Sequence, residues 1–173
     1  MRTRKFLLVL TMVLGFGLSV TAQDEKDLKD RHVFELVEQM PSFPGGNAAL
    51  MSWLGENIKY PEIAENNAVE GRYIVRFVVG KDGRIGQVEI KQGREVKEKA
   101  EQMLREYYST SQNKDDEHSQ KIVAALKVAI EALGALESEA VRVVSSMPRW
   151  MPGKQNGETV NVWFTLPITF RLQ

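Results

Sequence analysis

From residue 160 to residue 172 the chain alternates. Val160, Val162, Phe164, Leu166, Ile168, Phe170 and Leu172 are apolar, while Asn161, Thr165, Thr169 and Arg171 between them are polar. A period of two sends successive side chains to opposite faces, so this pattern predicts a long strand with one buried face. Trp163 and Pro167 interrupt the polar set. Pro167 has no N–H to donate, which places the strand at a sheet edge or turns part of its donors outward. A long open edge is a template for another strand unless it is covered or used.

Two further strands are legible upstream. Residues 72–79 are dense in Tyr, Ile, Val and Phe, and Gly80-Lys81-Asp82-Gly83 behind them is a hairpin turn. Residues 85–91 read as the returning strand, with Val88 and Ile90 on one face and Gln87, Glu89 and Lys91 on the other. Ile85 is out of phase with Val88 and Ile90, which predicts a bulge or a bend near Gly86.

The helical period governs the rest. Two prolines and two glycines exclude helix and central strand from Pro41-Ser42-Phe43-Pro44-Gly45-Gly46. Asn47 is then placed as the N-cap of a helix carrying Leu50, Trp53, Leu54 and Ile58, closed by Tyr60-Pro61. A second helix carries Val96, Ala100, Met103, Leu104 and Tyr107, and ends in a polar loop, residues 109–119. Ile122, Val123, Leu126, Ala129, Ile130 and Leu133 form a third, apolar over a wide arc. Together these two read as a helical hairpin inserted at about residues 94–133. Leu136, Ala140, Val143, Val144 and Met147 then predict another helix, stopped by Pro148. The order helix, strand, strand, helical insert, helix, strand is that of an antiparallel α+β domain rather than a doubly wound sheet.

The N-terminus changes the domain count. Arg2, Arg4 and Lys5 precede an uncharged apolar run over residues 6–18, and Val20-Thr21-Ala22 offers small residues before a cleavage point. This is the pattern of a secretory signal peptide, residues 1–22. Its apolar run is shorter than the roughly 20 residues of a spanning helix, so export is expected, and retention would leave an inner-membrane anchor. Residues 23–32 form a short charged lead-in, and residues 33–173 one domain. Lys plus Arg equal Asp plus Glu at 23 each, which leaves no basic excess for a nucleic-acid partner. Cys is absent, removing disulfides, thiolate metal sites and a Cys nucleophile.

Candidate chemistry is sparse. Gly45-Gly46 lacks the spacing and the Lys-Ser/Thr of a phosphate loop. Asp115, Asp116, Glu117 and His118 sit on one polar loop and read as a solvated turn rather than a metal site. Asp82 belongs to its turn, and Ser145-Ser146 has no His in motif context. No enzyme, cofactor or metal is expected. Trp150 reads as a loop aromatic folded over the core, against the alternative of an exposed platform for a partner.

Taken in order, Pro41 to Gly46, Tyr60-Pro61, Gly71-Arg72 with Phe77-Val78-Val79, Asp82-Gly83 with Ile85, Ser146-Met147-Pro148-Arg149-Trp150-Met151-Pro152-Gly153-Lys154 and residues 160–172 resemble the C-terminal domain of TonB-family energy transducers. The resemblance implies a small three-stranded antiparallel sheet backed by helices, located in the periplasm. It also implies that the domain binds the TonB box of outer-membrane TonB-dependent transporters as an added strand. The contacts would lie along Val160, Asn161, Val162, Trp163, Phe164, Thr165, Leu166 and Pro167, with Tyr60 and Pro61 near the transporter. A family transducer is pulled by inner-membrane motor proteins through a long Pro-rich linker. Here about ten residues without Pro separate leader and domain, a reach of at most about 35 Å. A freestanding periplasmic adaptor that keeps the fold without energy coupling is therefore the alternative. The helical insert, where the family usually has a short connection, is either a decoration that covers its own apolar face or a surface for a homodimer or a docked partner.

Overall fold

The computed structural model describes residues 32–110 and 116–172. The expected leader, the lead-in up to Arg31 and the centre of the polar loop lie outside the described residues. In chain order the elements are β1 (Val33–Phe34), α1 (Gly46–Asn57), α2 (Glu62–Asn66), β2 (Gly71–Val79), β3 (Ile85–Gln92), α3 (Glu95–Thr110), α4 (Glu117–Ser145), β4 (Gly153–Gln155) and β5 (Glu158–Phe170).

The alternating tail is β5, and its burial follows the period. Val162, Leu166, Ile168 and Phe170 are buried, whereas Thr165, Pro167 and Thr169 are exposed. β5 pairs antiparallel with β2 from Val162↔Val79 to Phe170↔Gly71, and β2 pairs antiparallel with β3. The expected bulge is present: Phe77 faces Val88 and Val78 faces Gly86, so Gln87 is skipped and takes a φ of 33°.

The expectation of three strands is too small. The three long strands are joined by two short ones in a five-stranded sheet ordered β1-β5-β2-β3, with β4 paired to the start of β5. β1 and β4 have two and three residues, too few to show a period. One face of the sheet presents Tyr73, Val75, Phe77, Leu166, Ile168 and Phe170 to Leu50 and Leu54 of α1 and to Leu136, Ala140, Val143 and Val144 of α4. Removing such side chains from water stabilises the fold by about 1.5–3 kcal/mol each.

The helices differ from the expectation in three places. α1 begins at Gly46 with Gly45 as its N-cap, at φ 83° and with no side-chain cap, so Asn47 lies inside the helix. It ends at Asn57; Tyr60-Pro61 instead opens α2, with Pro61 as N-cap and its carbonyl accepting from the Ala64 and Glu65 N–H groups (2.9 and 3.0 Å). Most consequentially, the third and fourth expected helices are one, α4, of 29 residues. The hairpin of α3 and α4 exists, but it does not end near residue 133. Its far part is tied by the buried Ala100 and Val123, while Ala132, fully buried, already belongs to the main core.

Candidate functional site

The two sides of β5 are unlike. One is laddered to β2 along nine residue pairs, Val162 to Phe170. On the other, β1 lies parallel against Asn161 and Val162. β4 pairs with Glu158, Thr159 and Val160. From Trp163 to Phe170 no described strand lies on that outer side. Pro167 stands opposite Ile74 and has no N–H for β2. The ladder loses no bond there if Pro167 occupies a non-hydrogen-bonded pair, and the alternation then turns the N–H groups of Trp163, Thr165 and Thr169 to the open side. The expected contact residues thus divide. Val160, Asn161 and Val162 are already paired within the chain, while Trp163, Phe164, Thr165, Leu166 and Pro167 lie on the open stretch.

The solvent face beside this edge carries a charged stack that sequence reasoning missed. The Arg76 guanidinium lies 4.0 Å over the Trp163 ring, an attraction between a cation and the ring's negative face. Arg76 also donates to the Glu35 carboxylate and lies 3.6 Å from Glu89. No local spacing signals this group, because its members come from β2, β3, β5 and the residue after β1.

Of the motif residues, Asp82, Gly83, Met147, Pro148, Trp150, Pro152 and Gly153 gather at one end of the sheet, and Gly71 and Arg72 lie at the other. In the β2–β3 turn Gly83 adopts φ 76°, its N–H donating to Gly80 O (2.8 Å), while Asp82 Oδ1 accepts from the Arg84 N–H (3.1 Å). The Trp150 N–H donates to Gly83 O (2.8 Å), and a Cβ on Gly83 would stand 2.1 Å from Trp150 O. Trp150 is 4% exposed, with its ring packed on Phe43, Phe77 and Phe164 at centroid distances of 5.7, 5.4 and 4.8 Å. It is a core residue, not a platform. Its indole N–H finds no protein acceptor.

Met147 is buried, Pro148 exposed and Pro152 half-buried. Gly153 is buried where a Cβ would stand 2.6 Å from Val162 Cγ2. Residues 151–154 are held by four backbone bonds to Gln39 and Ser42, of 2.8 to 3.1 Å. This is where the proline-glycine segment near residue 41 finds its partner.

Tyr60 lies at the opposite end of β5. Its ring meets Phe170 edge to face at 5.9 Å, and its hydroxyl donates to Val69 O (2.8 Å). Burial, followed by the charges of Glu70 and Glu65, raises the Tyr60 pKa. Pro61 is half-buried. Gly71 abuts Tyr73 and Leu136, and the exposed Arg72 lends its carbonyl to a close approach by Gly93. Beneath them Tyr73 donates to Leu133 O (2.8 Å), and burial, then the charge of Glu137, pushes its pKa up to about 12.

Glu139, the one buried charged group among the described residues, fastens α4 to the chain after α1. It accepts from the Lys59 N–H (2.7 Å) and from Arg142 (2.6 and 2.7 Å). Burial alone would raise its pKa, but these bonds outweigh it and the pKa is lowered. Asp116 caps α4 by accepting from the Ser119 N–H, and that bond lowers its pKa. Among the described residues no three His, Cys, Asp or Glu side chains converge on a metal position, and no helix is long and apolar enough to cross a membrane.

The whole is an α+β domain, with helices packed on a mixed sheet and an open stretch on its last strand. The model of the Gram-negative bacterial TonB protein C-terminal family matches residues 56–130 and 118–172, and the chain belongs to that family. Among solved structures, the solution structure of the Helicobacter pylori TonB C-terminal domain (residues 194–285) is similar at 17% identity. The match covers 73% of this chain and 92% of that one, with a TM-score of 0.32. No curated protein sequence matches the chain.

Proposed function

We propose that this domain docks extended segments of outer-membrane transporters, the TonB box, by strand addition along residues 163–170 of β5, and that it supports energy-dependent transport across the outer membrane. The observation that carries this reading is the asymmetry of β5 over residues 163–170: a full ladder to β2 on one side and no described strand on the other. Main-chain bonds along an open edge supply affinity, and alternate side chains supply selection. Membership of the TonB C-terminal family supports the same partner class.

The role is one of binding rather than catalysis, set in the periplasm after export. Coupling to inner-membrane motor proteins belongs to the same proposal. Intact-mass measurement of the exported protein reads its anchoring: loss of residues 1–22 would sink direct transduction by this chain alone.

Thr165→Pro tests the docking itself. It removes an N–H on the open side and leaves the β2 ladder in place. Titrated with synthetic N-terminal segments of the organism's outer-membrane transporters, the variant is expected to bind at least about tenfold more weakly than wild type, with unchanged circular dichroism. That loss corresponds to about one or two main-chain bonds. Unchanged affinity in a folded Thr165→Pro protein refutes edge docking.

A further inference from the structure

The open edge is not wholly open: its upstream end is occupied by the chain itself. Val33 and Phe34 pair with Asn161 and Val162, in parallel. The next residue, Glu35, places its carboxylate on Arg76, which is stacked on Trp163. This segment is tied lightly. Glu35 and Leu36 are exposed, Leu36 by 78%, and firm anchoring resumes only at Val37, 8% exposed, and at the paired backbone of Gln39. Two residue pairs, the half-buried side chains of Val33 and Phe34, and one ion pair between the exposed Glu35 and the half-buried Arg76 therefore hold it, and an ion pair open to water on one side contributes little.

We propose that β1 is a displaceable occupant of the docking edge, and that Arg76 with Trp163 forms the recognition point for a carboxylate on an incoming extended strand, a place Glu35 now fills. An added strand can extend past Trp163 toward Asn161 only if β1 leaves, because both need the same main-chain groups. Val37 and the residues after it stay fixed when it does. The released Arg76 keeps Glu89 at 3.6 Å and the Trp163 ring. The incoming strand's carboxylate then restores the pair that Glu35 gave up. A segment with an acidic residue at that register thus replaces β1 like for like, whereas one without it leaves Arg76 half-satisfied. The inference rests on the docking reading only for the identity of that strand.

The chain's own segment is the probe. A synthetic peptide of residues 32–37, His-Val-Phe-Glu-Leu-Val, is titrated into the full chain and into the full-chain variant Val33→Pro/Glu35→Lys, in which β1 is released. The released variant is expected to bind the peptide at least tenfold more tightly than wild type. Replacing the peptide's Glu by Gln should weaken binding about two- to fivefold, and that difference should vanish when Arg76→Gln is added to the released variant. Equal affinity of wild type and released variant overturns the occupant role. An equal response to the Glu and Gln peptides overturns the recognition point.

Hydrogen exchange covers the case in which the variant fails to fold. Glu35→Gln alone should speed exchange over residues 32–36 by about two- to fivefold and leave residues 71–79 unchanged; unaltered exchange in both segments overturns the proposal. If the chain's own peptide binds the released edge while Thr165→Pro leaves transporter segments unaffected, the docking reading falls and the occupant stands.

Discussion

Gly83 and Trp150 lie far apart in the chain, and the structure makes them one contact. The Trp150 backbone crosses Gly83 so closely that a methyl group has nowhere to go, and the left-handed φ of 76° excludes most L side chains as well. Gly83→Ala should therefore cost about 2–4 kcal/mol, read as a fall in the urea midpoint with the slope preserved. Glu139 offers a second reading at this scale. Its folded pKa lies below the ordinary 4.5, so its stabilisation is present above that pH and lost as pH falls through the folded value. Stability measured between pH 7 and pH 3 should show wild type losing its advantage over Glu139→Gln as the acid is approached. A constant difference would mean that the Arg142 and Lys59 bonds do not hold the carboxylate. Neither pairing was legible in the sequence. Asp82-Gly83 and Trp150 stood out as separate motifs, and the Glu139–Lys59 contact joins residues that no local spacing relates.

Among the elements, those long enough to repeat their period several times are legible in the sequence, and the shortest are not. β2, β3 and β5 repeat their pattern over eight or more residues, whereas β1 and β4 are defined only by what they pair with. The sequence pattern divides α4 between Leu133 and Leu136, on either side of Gly134. The apolar stripe in fact continues across it, from Leu133 to Leu136 and Ala140, all buried. Glu137, one turn further, binds Lys97 (3.2 Å) and Arg94 of the preceding loop, which ties α3 to α4 just past the supposed break. A Cβ on Gly134 would find only the Lys97 side chain, at 3.6 Å or more. Gly134→Ala is accordingly expected to stabilise the protein by about 0.5–1 kcal/mol, seen as a higher thermal midpoint. A destabilised variant would show that the helix bends there. The same continuity means that the hairpin expected at about residues 94–133 is not separate from the domain: a cut through Ala132 enters the main core, where that side chain is fully buried.

Over the whole molecule, the α+β class and the importance of the last strand were legible, because one strictly alternating segment carries both. The way the two sides of that strand are used was not. Whether an edge is open depends on which other segments reach it, and the occupants here, β1 and β4, are too short to announce themselves. The open stretch is consequently not residues 160–167 but residues 163–170, displaced three residues toward Phe170. The most direct measurement of the account is amide hydrogen exchange of the full chain, residue by residue, with and without a bound N-terminal segment of one of the organism's outer-membrane transporters. Strand addition predicts that the N–H groups of Trp163, Thr165 and Thr169 gain protection while those of β3 do not change. Binding that leaves these three amides as exposed as before would contradict it.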